Sequence, residues 1–276
     1  MRFKKMAYPY LVWLAIFIIV PLLLVLYYSI TTGKIDSFSD MSLSLDSFSR
    51  FFTPQYLLIL VKSLKIALYT TLLCLVIGYP MAYLISRLKT KIQNTMILLV
   101  IIPMWMNFLL RTYAWLSILS KNGLINSFLS IIGIEPLDLL YTEGAVMIGM
   151  VYNFLPFMVL PIYSVLAKVE HELEEAAWDL GANRNYTFWK VIFPMSIPGV
   201  ITGITMVFIP AVSTFEISSL LGGNKVNLIG NIIEQQFRVT GDWHFGSSMS
   251  MILMVLIVIS MLITNKFGEE GGGELW

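Results

Sequence analysis

Few residues of this chain could do chemistry, and their spacing points to recognition rather than catalysis. Glu170, Glu172, Glu174, Glu175 and Asp179 crowd one short, helix-prone stretch, followed by Tyr186, Phe188, Trp189 and Val191. Gly181 can end one helix there, and Asn183 or Asn185 can cap a second, giving two short helices at an angle. Such a segment reads either as a docking handle for a soluble partner or as a solvated loop. Trp105, Asn107 and Tyr113 lie within about two helical turns and offer aromatic faces and an amide. That set suits a cationic or amine solute, although Trp and Tyr serve equally as membrane-interface anchors. Glu216 is a carboxylate that could attract a cation or simply be solvated. No GxxxxGK[ST] phosphate loop is present, which excludes ATP hydrolysis by that route. The only histidines, His171 and His244, fall on opposite sides of the membrane in the topology below, and Cys74 is the single cysteine, so neither a joint histidine metal site nor an intramolecular disulfide is expected.

The elements that must position these residues are membrane spans. At 276 residues, 57% hydrophobic and 13% charged, with a mean hydropathy of +0.78, the chain is too apolar for a soluble domain. Its net charge of +1 speaks against nucleic acid as a partner. At ~20 residues per crossing, six apolar runs emerge: 8–30, 66–86, 95–119, 145–167, 194–215 and 249–264. The first has no Ala-x-Ala-like site after it and is expected to remain uncleaved. Polar connections at 31–56, 121–142 and 220–245 are expected outside.

Basic residues set the orientation, because they favour the cytoplasmic side. With the N-terminus inside, Arg2, Lys4, Lys5, Arg87, Lys89, Lys91, Lys168, Arg184, Lys190 and Lys266 are cytoplasmic, against Lys34, Arg50, Lys121, Lys225 and Arg238 outside. Lys62, Lys65 and Arg111 fall near or within spans. The acidic segment then faces the cytoplasm, and the C-terminus lies there too.

In hydrocarbon every backbone group freed by a helix breaker must find a partner in protein or in a wet cavity. Pro103, Pro156, Pro161, Pro198 and Pro210 therefore mark the third to fifth spans as cavity walls, or are plain kinks. Arg111 stands ~25 Å along its span from Asn94 at about 1.5 Å per residue, within snorkelling reach of the outer interface. Glu216 reaches the outer mouth if the fifth helix is continuous, and faces the cavity if Pro210 breaks it.

The run Glu175-Ala176-Ala177, three residues, Gly181, nine residues, then Val191-Ile192-Phe193-Pro194 resembles the EAA loop of bacterial ABC-importer permeases. Val191 and Phe193 stand where that pattern has Ile and Leu. The resemblance implies a cytoplasmic coupling helix seated in a groove on the ATP-hydrolysing subunit, with Glu175, Ala176, Ala177, Gly181 and Pro194 in that role. Adjacent alanines give a side-chain-poor face for close approach, Gly181 permits the turn, and Glu175 offers a carboxylate.

Further strings, 103–113 (PMWMNFLLRTY), 149–164 (GMVYNFLPFMVLPIYS), 220–223 (LLGG), 230–237 (GNIIEQQF) and 241–246 (GDWHFG), resemble the spermidine/putrescine branch of that family. Iron, sulfate and thiamine permeases share its architecture. The chain departs from the branch at Glu216, where an acidic residue nearer Ser219 is expected. The resemblance implies an all-α, six-span, type I ABC-importer permease of the bacterial inner membrane, forming half of a polyamine pathway. It further implies a second homologous permease, two ATPase subunits that carry ATP and Mg2+, and an extracytoplasmic polyamine-binding protein, with no cofactor on this chain. The expected divisions are a tail, first helix and external loop at 1–60, a transporter domain at 61–267 with its coupling loop at about 168–194, and a cytoplasmic tail at 268–276. The rival within the class is an importer of another small solute. The rival outside it is a secondary transporter or channel without a motor, for which inverted repeats are expected and none is visible.

Overall fold

The computed structural model describes residues 8–33, 41–169 and 171–272. Arg2, Lys4, Lys5, Lys34, Glu170 and the end of the 268–276 tail lie outside the described residues, as does the side chain of His171. The chain forms two compact units, one of residues 1–60 with 229–258 and one of 61–228 with 259–276.

The first unit contains α1 (Tyr8–Leu14), a π turn (Ala15–Ile19) and α2 (Val20–Ser29). The π turn sits just before Pro21, whose missing N–H cannot reach the carbonyl four residues back. The Val20 N–H reaches Ala15 O instead. This run is apolar yet almost wholly exposed, only 6% of Val12–Ser29 being buried, as suits a helix bathed in lipid. A short hairpin follows, with Thr31 of β1 (Thr31–Thr32) opposite Leu43 of β2 (Ser42–Leu43), then α3 (Asp46–Phe51). One ring nitrogen of His244 lies 3.0 Å from Tyr28 O and the other 3.2 Å from Gly33 O, while Ser248 donates to Ser29 O at 3.0 Å and so satisfies the last carbonyl of α2. Arg50 bonds Asp242 at 2.8 Å and covers the Phe245 ring at 4.1 Å.

The second unit is built around α8 (Glu143–Leu166), the most buried span, and α11 (Phe193–Ser213), which packs along it. Their approach depends on Gly199 and Gly203: a Cβ at Gly199 would stand 2.8 Å from Pro161 O, and one at Gly203 3.2 Å from Met158 O. Without a hydrophobic drive between helices in lipid, such small-residue contacts supply the packing. α4 (Pro54–Ser86) begins in the first unit and continues in the second. Lys62 on α4 meets Glu143 at 2.8 Å, placing the start of α8 beside that level of α4.

The third apolar run, expected as one straight span, is instead α5 (Thr90–Trp105) and α6 (Phe108–Leu119), with a 92° bend between α5 and the helices from Phe108 to Ile131. Pro103 precedes the break, and Asn107 opens the new helix by accepting from the Leu109 N–H at 2.9 Å. Pro156, Pro161 and Pro198, read as comparable breakers, lie inside continuous helices. The 121–142 connection carries α7 (Leu124–Ile131). The 220–245 stretch, expected as a polar loop, holds α13 (Ile229–Gln235) and buries Leu228, Ile229 and Phe245. The final helix, α14 (Trp243–Gly272), contains the sixth span.

Candidate functional site

Two features stand out in the second unit, a cavity between broken helices and the exposed acidic segment that carries Glu175 and Gly181.

The cavity forms because two spans stop short beside α8. α11 runs through Pro210, ends at Ser213, and its C-cap Thr214 donates its N–H to Pro210 O. After Phe215 the chain resumes as α12 (Glu216–Gly222). α12 packs on α8 because Gly149 leaves room for Ile217 and Leu221, to which a Cβ would come within 3.0 and 2.4 Å. The break in α11/α12 faces the break in α5/α6 across a cavity of about 530 Å3 lined by Asn107, Phe108, Leu109, Phe154, Pro210, Ser213, Thr214, Phe215 and Glu216. Glu216 is half-buried there and accepts a hydrogen bond from Thr214 Oγ1 at 3.4 Å. The C-terminal end of α11 adds the negative end of a helix dipole. The N-terminal ends of α6 and α12 open at the same cavity and oppose that partial charge, so the Glu216 carboxylate is the one full charge among its lining residues.

The structure therefore brings Asn107 and Glu216 into one cavity. Trp105 is 80% exposed and Tyr113 53% exposed, and neither is among the cavity's lining residues. Asn107 has its carbonyl oxygen engaged as a helix cap. Arg111 does not snorkel outward: it is only 8% exposed, its guanidinium carbon 5.8 Å from the Phe108 ring. The 92° bend breaks the straight helix on which the residue count rested. Phe108, Phe154 and Phe215 escaped sequence reasoning because nothing distinguishes them from lipid-facing phenylalanines until both breaks are located.

The acidic segment is α9 (His171–Asp179), a turn, and α10 (Arg184–Thr187), continuing through a π turn (Phe188–Ile192) into α11. Gly181 has φ +86°, with Ala182 N–H donating to Ala177 O and Gly181 N–H to Trp178 O, the Schellman ending that favours glycine. Asn183 caps α10 by accepting from the Tyr186 N–H at 2.8 Å. Pro194 directly follows the π turn, whose last bond runs from the Phe193 N–H to Phe188 O, the same arrangement as before Pro21. Consecutive glutamates diverge: Glu174 is buried and Glu175 exposed. Glu175, Ala176 and Gly181 share the exposed surface with Leu180 (89% exposed). A groove of about 530 Å3 runs between Ala177, Gly181, Asn183, Tyr186 and Val191. Exposed Leu180, Tyr186 and Trp189 stand here beside the exposed carboxylates of Glu172, Glu175 and Asp179.

Facing inward, the same segment meets the end of α4. Arg87 forms an ion pair with the buried Glu174. The Tyr83 ring packs edge-on to Phe188 at 5.4 Å, and Tyr79 lies 5.9 Å from Phe188 and 5.7 Å from Phe193. The Tyr79 hydroxyl is 2.9 Å from that of Ser196.

Residues 74–267 match the family described as binding-protein-dependent transport system inner membrane component. The chain is 41% identical over 253 residues to the spermidine/putrescine transport system permease protein PotB of Salmonella typhimurium (strain SL1344), covering 91% of this chain and 88% of the relative. The protein of the same name from Escherichia coli (strain K12) is 40% identical, with 91% and 92% covered. A crystal structure of a bacterial ABC transporter involved in the import of the acidic polysaccharide alginate contains a chain of the same fold, with a TM-score of 0.77, 18% identity, and 97% and 95% covered.

Proposed function

Because the chain belongs to the family of binding-protein-dependent transport system inner membrane components, we propose that it is the permease of an ABC importer for polyamines, spermidine or putrescine. The observation that carries this reading is the likeness to two permeases named for those solutes at 40% and 41% identity across most of both chains. The cavity chemistry agrees with it. A polyamine bears two or more ammonium groups at neutral pH, and each must exchange water for protein dipoles on entering a low-dielectric path. Glu216 supplies a full negative charge, and Phe108, Phe154 and Phe215 supply aromatic side chains beside it. Trp105 and Tyr113 are further pathway candidates on the exposed side of the broken span, where a second homologous permease would complete the passage.

In this reading a loaded polyamine-binding protein docks outside. Two ATPase subunits bind ATP and Mg2+ and close inside, and the surface formed by Glu175, Ala176, Ala177 and Gly181, with Pro194 starting the adjoining span, receives their motion. Both termini lie in the cytoplasm, and this chain holds no cofactor of its own. Restoring spermidine uptake to cells that lack polyamine uptake, by expressing this permease with its partners, tests the assignment. Restored uptake of sulfate or iron without spermidine would replace it with the generic importer.

A further inference from the structure

The deepest contact between the docking surface and the spans lies at the end of α4. Tyr79 and Tyr83, four residues apart, share one face of α4, and Arg87 stands in the turn directly after its last residue, Ser86. Together they reach along the segment: Tyr79 meets Phe193 and Ser196 at the root of α11, Tyr79 and Tyr83 both meet Phe188 in the π turn, and Arg87 meets Glu174 on α9. Among the described residues, α10 is the only helix that packs extensively on α9. The Arg87–Glu174 pair links α9 to the turn that ends α4.

Burial decides how firm that tie is. The Lys62–Glu143 pair at the other end has side chains 34% and 55% exposed, and exposed pairs contribute about 0–1 kcal/mol. Arg87 and Glu174 are 18% and 7% exposed. Separating them would strand charge in a low-dielectric setting. Higher on α4, Gly78 lies against Met158 of α8, a Cβ there falling 3.0 Å from Met158 Cγ. One turn from Met158, Phe154 lines the cavity.

We infer that Arg87 and Glu174 are positioning residues that couple the docking surface to the cavity, passing displacement of α9 through Arg87 and the Tyr79–Tyr83 face of α4 to α8. This rests on the importer reading above, in which α9 is moved by an ATPase.

The test uses the full complex, with both permeases, the ATPases and the loaded binding protein, reconstituted in liposomes. It compares the parent with Arg87→Gln, Glu174→Gln and the exchanged pair Arg87→Glu/Glu174→Arg. ATPase retained per permease reads assembly, and the ratio of binding-protein-stimulated to basal ATP hydrolysis reads coupling. Each single variant is expected to retain the ATPase while that ratio falls by about tenfold, the effect of ~1.4 kcal/mol of lost coupling. The exchanged pair is expected to restore most of it. A merely structural pair would lower the amount of complex without changing the ratio in what remains, and that result overturns the inference, as does a parental ratio in both single variants. A parental complex that retains no ATPase overturns the importer reading itself, and the inference with it.

Discussion

Asn107 and Glu216, far apart in the chain, each stand at a helix break, and both line one cavity against α8. Asn107 caps the helix leaving the first break, and Glu216 opens the helix leaving the second. Their meeting gives the account its main functional expectation. Glu216→Gln keeps the shape and removes the charge, so polyamine uptake should fall at least about tenfold, which corresponds to ~1.4 kcal/mol of lost cation stabilisation. Trp105→Leu, at an 80% exposed position, should reduce uptake less. Initial uptake rates with ATPase retention as the control decide the matter, and parental uptake by Glu216→Gln would remove the carboxylate from the pathway.

At the docking surface, Gly181 combines φ +86° with open space where a side chain would project. Asparagine tolerates that backbone, whereas tryptophan adds bulk where a partner must approach. Gly181→Asn should therefore keep most ATPase co-purification, and Gly181→Trp should lose it while the permease still inserts. Equal retention by both would show that the partner does not seat there.

Packing of α8 against α11 gives a stability expectation independent of any partner. Gly199→Leu must push a Cβ into Pro161 O and Ile162 Cα, at 2.8 and 3.0 Å, and overpacking of this kind costs about 1–3 kcal/mol. Thermal unfolding of the detergent-purified permease should shift down accordingly. An unchanged midpoint would mean that the two helices separate at little cost.

What the sequence made legible, and what it hid, follows the range of the physics involved. The Gly181 turn and the Asn183 cap were readable because both are local backbone chemistry, decided within a few residues. The bend after Trp105 was not, because Pro103 looks no different from Pro156, Pro161 or Pro198, which sit in unbroken helices. Only the capping use of Asn107, together with neighbours supplied by α8 and α12, separates a break from a kink. Arg111 was placed at the interface by counting along a straight helix, and the 92° bend invalidated the count. The Tyr79–Tyr83 face of α4 was silent for a related reason: in a span that is apolar on every face, periodicity does not tell a protein-facing side from a lipid-facing one.

The charge count carries an orientation expectation. Cysteine placed at the exposed Asn183, in a background where the buried Cys74 is replaced by alanine, should react with an impermeant thiol reagent in inside-out vesicles only. Labelling in right-side-out spheroplasts would reverse the topology and put the docking surface on the wrong side for ATP.

The central claim is that this chain forms half of an ATP-driven polyamine pathway, and uptake of labelled spermidine by proteoliposomes holding the complete complex tests it most directly. The account predicts uptake that requires internal ATP and external loaded binding protein, is competed by putrescine, and falls at least about tenfold when Glu216→Gln is present, as argued from the cavity charge. A complex that retains its ATPase and hydrolyses ATP in response to its binding protein, yet moves no spermidine or putrescine, would contradict it.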